Sequence, residues 1–343
     1  MKANPMIKLK STFFLLVLFL GASTITVLSQ FNYIYENFGE DYIKTTDFNR
    51  HQKKINGNAD APYSYRLLTD YILEYTLLKF VPYNTPEEQR IKYEVVSFGF
   101  RFIQNFVIFF LAFIYLGTLG ISRSNRVMGI LILISGMNFA FNQSDLSFYT
   151  YTELAFFLFA GILINFNKDW WILPLTILAT LNREGAVFIP VMLFSARFSQ
   201  TRWRQLWGFK MFSSQLIKIL ALSMLGFFVI YFGARFLIRV ETYSGSRYGA
   251  VFPGFQLLYL NIFNLMTWVG LAQMFSLLPL TIIFVNHWPT ILKMYLLFLV
   301  LPWSAAVFVF GSADETRLFL VPLAIVFIPA LLKLVSLDNL QSS

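Results

Sequence analysis

The run from Trp170 to Phe198, WWILPLTILATLNREGAVFIPVMLFSARF, is apolar but carries Asn182, Arg183 and Glu184 at its centre. A charge at mid-depth in a membrane-length segment costs about 2.5–3.5 kcal/mol on insertion scales. Such residues persist where they face protein or a water-filled cavity, and they mark candidate functional sites. A guanidinium fork matches phosphate oxygens. The triplet therefore has the chemistry to hold an anionic group. The plainer alternative is an ion pair between Arg183 and Glu184 that only fixes local geometry.

Other polar residues fall near the ends of apolar runs. Asp145 and Glu153 flank the start of one, and Arg235, Arg239 and Arg247 bracket a loop. Asp314, Glu315 and Arg317 precede the last apolar segment. Arg66 lies in the polar region 31–92, which opens with Glu40 and Asp41. Each has a bland reading. Arg235 and Arg239 can snorkel to an interface. Asp314, Glu315 and Arg317 can be a solvated turn. Glu153 can be satisfied locally by Tyr149, Thr150 or Tyr151, and Glu40 and Asp41 can be solvated loop acids.

Composition narrows the chemistry. The chain of 343 residues is 57% hydrophobic and 13% charged, against about 45–50% and about 25% in soluble domains. The surplus arrives in runs of about 20 residues, the length of a spanning helix. Cysteine is absent and His51 and His287 are the only histidines. That leaves no disulfide framework, no thiolate site, and little basis for a zinc site or a Ser-His-Asp triad. The net charge of +9 fits cytoplasmic Lys and Arg beside anionic lipid. No nucleic-acid module or Gly-rich phosphate loop is present. A single all-α, polytopic integral membrane domain over 1–343 is expected, with about 8 to 10 transmembrane or re-entrant helices.

These elements must position the polar groups. Lys2, Lys8 and Lys10 precede the apolar run Ser11–Ser29, read as an uncleaved first helix with a cytoplasmic start. Region 31–92 is then exported. Within it, Leu67, Leu68, Tyr71, Ile72, Tyr75 and Leu78 recur near helical spacing, as in an amphipathic helix lying on the membrane surface. Thr85 and Pro86 read as N-cap and first residue of the next helix. Helices are expected near 94–120, 127–142, 148–166, 215–239, 257–285, 294–310 and 318–336. Trp170 and the basic residues Arg197, Arg202, Arg204 and Lys210 both look cytoplasmic, so 170–198 must turn back on itself. Arms of about 12 residues reach about 18 Å, short of the ~30 Å hydrocarbon core. A re-entrant hairpin with residues 182–184 at its tip follows. Its rival, one continuous span, would put the polar groups on opposite sides.

In this layout the chain resembles the GT-C class of polytopic glycosyltransferases and related bacterial surface-polysaccharide membrane proteins. A first helix leads into an exported acidic loop with Glu40-Asp41. Pro62-Tyr63-Ser64-Tyr65-Arg66-Leu67-Leu68 looks like the start of a surface helix. Asn182-Arg183-Glu184, and Glu315-Thr316-Arg317 before a helix with Pro322, look like polar signatures of such proteins. The resemblance implies a bacterial inner-membrane enzyme that moves a sugar from a polyprenyl-phosphate donor to a glycan or lipid acceptor at the outer face. It implies Asp41, Glu40 or Glu184 as catalytic carboxylates. Arg66, Asp145, Asn182, Arg183, Arg235, Arg239, Arg247, Glu315 and Arg317 would bind substrate. A divalent metal is permitted and not demanded. The chain is short for the class. A polysaccharide polymerase or ligase, a transporter or flippase, and a non-catalytic assembly factor are the competing classes.

Overall fold

A computed structural model describes residues 5–59, 63–140, 146–200, 213–238 and 253–341. Every regular element among them is helical. Among the described residues, six helices are long and apolar enough to cross a membrane: α1 (Pro5–Phe38), α4 (Pro86–Thr118), α6 (Phe148–Asn165), α9 (Ser214–Leu237), α12 (Thr290–Phe310) and α13 (Thr316–Ser336). The pair α10 (Pro253–Phe263) and α11 (Leu265–Phe275) bends by 64° and would make a seventh span if crossed as one. The expected eight to ten thus resolve into six or seven spans plus shorter pieces. The shorter pieces are α5 (Arg123–Phe139), α7 (Ile172–Asn182), α8 (Phe188–Ser199) and the tight helical stretch Leu278–His287. Polar interruptions set these lengths. Asn264 caps α11 by accepting from the Met266 amide at 3.1 Å, so one expected helix near 257–285 is broken at that cap.

Local signals behave as the residue types require. Thr85 accepts from the Glu88 amide and Glu88 accepts in return from the Thr85 amide, a capping box with Pro86 following. Helix α13 is the most enclosed of the six spans, and it contains Pro322 and Pro329. A proline cannot donate to the carbonyl four residues back. The indole of Trp303 donates instead to the Leu318 carbonyl at 2.7 Å. The hydroxyl of Tyr115 donates to the Ile325 carbonyl at 2.9 Å. Side chains from α12 and α4 thereby complete the backbone of α13 in a setting without water. Trp303→Phe leaves the Leu318 carbonyl unpaired, and a thermal unfolding scan in detergent should show a loss of about 1–3 kcal/mol.

Helices α6, α7 and α8 run back and forth. At one end, Arg197 of α8 donates to Asp169, just before α7, at 2.9 Å, and to the Ile164 carbonyl in the last turn of α6 at 3.0 Å. At the other end, Asn182 and Arg183 meet the first turns of α6. The near end of α7 and the far end of α8 therefore lie together, with residues 183–187 at the opposite end. Helix α7 packs along α9, and α8 packs on the start of α12.

The region before α4 is also helical. A turn at 43–47 leads into α2 (Phe48–Ile55). The segment α3 (Leu68–Ile72) continues through looser turns to Phe80. Its buried face carries Thr69, Asp70, Leu73 and Leu78. Tyr71, Ile72 and Tyr75 of the expected apolar stripe are exposed, with the two tyrosine rings stacked 5.5 Å apart. The polar Thr69 and Asp70 turn inward because each has a partner there.

Candidate functional site

The break between α7 and α8 begins at Arg183, whose backbone is extended. The carbonyls of the last turn of α7 would otherwise be orphaned. The amide of Leu67 satisfies one of them, bonding the Leu181 carbonyl at 3.0 Å. Asn182 is buried and works in both directions. It donates to the Tyr149 carbonyl at 2.7 Å and accepts from the Thr69 hydroxyl. Residues 67–69 and α6 are thus pinned to the tip from two sides.

Two ion pairs cross the same junction. Arg183 donates through Nη1 to Glu153 at 2.8 Å and to the Thr150 hydroxyl at 3.3 Å. Glu153 is therefore committed to the tip rather than to the neighbours expected from sequence. Arg66 grips Glu184 with both Nε and Nη2. Gly185 sits against the first pair. A Cβ there would overlap Glu153 Oε1 and stand 3.2 Å from the Trp303 ring. Gly185→Ala should cost about 1–3 kcal/mol by overpacking and displace the Glu153 carboxylate from Arg183, read as a lowered melting temperature.

Tyr149 lies at the middle. Its ring centroid is 4.8 Å from the Arg66 guanidinium carbon, 5.6 Å from that of Arg183, 5.9 Å from that of Arg317 and 5.6 Å from Lys54 Nζ. Four cations from three separate parts of the chain surround one aromatic ring, whose faces attract positive charge. Each also has a carboxylate. Arg317 donates to Glu315 at 2.8 Å, and Lys54 donates to Asp70 at 3.0 Å. The cluster is close to neutral as it stands, so the acids hold the cations in place against mutual repulsion. Among the described residues, Arg183 uses only Nη1 for hydrogen bonds, which leaves its Nε and Nη2 donors for an incoming anion.

Behind Lys54 lies a second layer. His51 bonds Asp70 through Nδ1 at 3.0 Å and Glu74 through Nε2 at 2.9 Å. Tyr93 closes over the ring and donates to Asp47 at 2.9 Å. Burial opposes charge on His51, yet the bonds to Asp70 and Glu74 outweigh it and raise its pKa above the ordinary 6.5. Burial likewise opposes charge on Asp70, but Lys54 and His51 outweigh it and hold its pKa below the usual range. The bond from His51 lowers that of Glu74.

The stabilisation from His51 is complete below about pH 6.5 and is lost as pH rises through its elevated value. That from Asp70 and Glu74 is present above ordinary carboxylate values and is lost only as pH falls through their depressed ones. The clamp is strongest between about pH 5 and 6.5. Amide exchange of residues 48–74, corrected for intrinsic rates, should accelerate from pH 6 to pH 9. His51→Gln should remove that pH dependence.

Of the residues singled out by sequence, Arg66, Asn182, Arg183, Glu184, Glu315 and Arg317 come together here. Arg235 stands at the edge, with its guanidinium carbon 3.5 Å from the Tyr231 ring centroid and 4.5 Å from that of Tyr65. Asp41 does not join them. Its side chain is 82% exposed and faces Lys44 at 3.7 Å, and Glu40 beside it is exposed as well. Asp145, Arg239 and Arg247 lie outside the described residues. Sequence reasoning missed Tyr149, Lys54, His51 and Asp70. Spacing offered a signal for them. His51 and Lys54 are three apart on α2, Asp70 and Glu74 four apart on the facing segment, and Tyr149 is one turn from Glu153.

Among the described residues no group of three His, Asp or Glu is placed to hold a metal ion. Comparison of the chain with protein-family models, with curated proteins and with solved structures finds no match.

Proposed function

We propose that the cluster around Tyr149 binds the phosphate of a polyprenyl-phosphate-linked sugar at the outer face of the membrane, and that the protein transfers the sugar to a glycan or lipid acceptor. The observation that carries this reading is the convergence of Lys54, Arg66, Arg183 and Arg317 on one aromatic ring. Guanidinium forks suit phosphate oxygens. Their counter-carboxylates keep the forks fixed before a ligand arrives, which is how preorganised charge stabilises a departing anion. A lipid-linked donor fits a site at the end of apolar helices, with its chain against their exposed apolar sides.

In the reaction the acceptor hydroxyl gives its proton to a carboxylate while its oxygen bonds to the anomeric carbon. The bond from that carbon to the phosphate oxygen breaks, and the polyprenyl phosphate leaves as an anion held by the arginines. Glu184 and Glu315 are the cluster carboxylates that reach the surface, at 39% and 35% exposure. Glu315, which gives one oxygen to Arg317, suits the base role better than Glu40 and Asp41, which stand apart from the cations, whereas Glu184, held by both donors of Arg66, fixes that fork. Two further features support this reading. The region 43–80 contributes Lys54 and Arg66 to the cluster, and the last span begins with Thr316-Arg317 beside it.

A transfer assay tests the proposal. Purified protein in nanodiscs is given polyprenyl-phosphate sugars with extracted cell-surface glycan, and labelled product is measured. Product that is lost in Glu315→Gln, in protein whose melting temperature is unchanged, supports it. Ligand uptake into vesicles with no product would favour a transporter instead. Topology has its own check, since the chain has no cysteine. An impermeant maleimide on intact cells should label Asn84→Cys and Ser312→Cys but reach Gln200→Cys only after permeabilisation.

A further inference from the structure

A cleft of about 270 Å³ opens beside Arg317, between α1, α11 and the turn before α13. Tyr33 stands on one wall and Met266, Val269, Gly270 and Gln273 on the other, with Asp314 and Thr316 between them. No group here is needed to hold the cation cluster. Thr316 is 2% exposed, and its hydroxyl has no hydrogen-bond partner. Asp314 Oδ1 is also buried and without a partner. Buried polar atoms are nearly always satisfied, and each exception calls for an account. Two such atoms, two residues apart on residues that line one cleft, are satisfied together if a ligand rich in hydroxyls enters and displaces the side chains packed over them.

The walls have the matching chemistry. A carboxylate accepts from hydroxyls, a carboxamide both donates and accepts, and a tyrosine ring offers an apolar face to the C–H side of a sugar. Gly270 leaves room beside Thr316, since a Cβ there would stand 2.8 Å from Thr316 Cγ2. The fixed sequence Asp314-Glu315-Thr316-Arg317 places the cleft directly beside the phosphate-binding cations and Glu315.

We infer that this cleft is a saccharide subsite, which holds a sugar ring of the acceptor through Asp314, Thr316 and Gln273. The inference builds on the transferase reading, but its test does not depend on that reading. The probe is a panel of methyl hexopyranosides, observed by saturation-transfer NMR on the full chain in nanodiscs. At least one glycoside should give a saturable signal. Asp314→Asn and Thr316→Val should weaken it at least tenfold.

Gln273 is exposed, so Gln273→Trp fills the cleft from its wall with little risk to folding and should abolish the signal. Polyprenyl phosphate binding, measured in parallel, should stay unchanged in Gln273→Trp. Absence of any glycoside signal in the wild type, or a signal indifferent to all three substitutions, would overturn the subsite. Glycoside binding without polyprenyl phosphate binding would leave the subsite standing and remove the donor reading.

Discussion

Arg183→Ala is expected to weaken polyprenyl phosphate binding by about 30- to 150-fold, which is the loss of about 2–3 kcal/mol of charge-assisted hydrogen bonding. The effect is large because Arg183 has donors to spare. Its Nη1 holds Glu153 and Thr150, and the other edge of the fork is available to phosphate. Deleting it also strands Glu153, which is 4% exposed and loses its compensating charge. That carboxylate then takes up a proton or drags structure with it. The two effects separate in Arg183→Lys. A lysine keeps the charge near Glu153 but loses the planar fork, so folding should recover more than phosphate affinity. A titration with polyprenyl phosphate, beside a melting curve for each variant, reads both.

Arg66→Met should have the next largest effect. Arg66 is 8% exposed and grips Glu184 with two donors. Its pair is the ionic part of a latch that also includes the Leu67–Leu181 backbone bond and the Thr69–Asn182 bond. Breaking a fully buried pair costs about 3–5 kcal/mol. Glu184 is partly exposed and can recover some hydration, so about 1–3 kcal/mol is expected here. The visible consequence is release of residues 63–72 from the tip. Limited proteolysis of that segment should become at least tenfold faster. The exchange Arg66→Glu with Glu184→Arg should restore much of the protection, because the pair is reformed with its ends reversed.

The sequence made the helical, membrane-directed character plain because a surplus of apolar residues in runs of about 20 has few other uses. It also exposed the tip. Three polar residues inside an apolar run are costly unless something receives them, and Tyr149, Thr69, Glu153 and Arg66 do. The number of spans was less legible. Hydropathy cannot separate a helix that crosses from two that break, and the 64° bend at Asn264 depends on one cap.

The roles of the acids were hidden for a different reason. Glu40 and Asp41 sit where a catalytic acid would be sought by layout, yet nothing in their neighbourhood draws them inward. Asp70 looks like an ordinary surface-helix acid until Lys54 and His51 are folded against it. Such pairing joins residues 16 and 19 positions apart, and it is set by how region 43–80 packs on α4 and α6 rather than by any local pattern. Pro322 and Pro329 are a further case. Read alone they predict a weakened helix, and only the positions of Trp303 and Tyr115 show why α13 holds.

Whether the cations around Tyr149 form a phosphate site is decided by equilibrium binding of two lipids. Polyprenyl monophosphate and the matching neutral polyprenol, in nanodiscs of zwitterionic lipid, differ only in the group these residues would hold. At least tenfold tighter binding of the phosphate is expected, with the preference reduced by salt and erased in Arg183→Ala. Equal binding of the two lipids, or a preference unchanged in that variant, would mean that these cations serve the fold and not a phosphate.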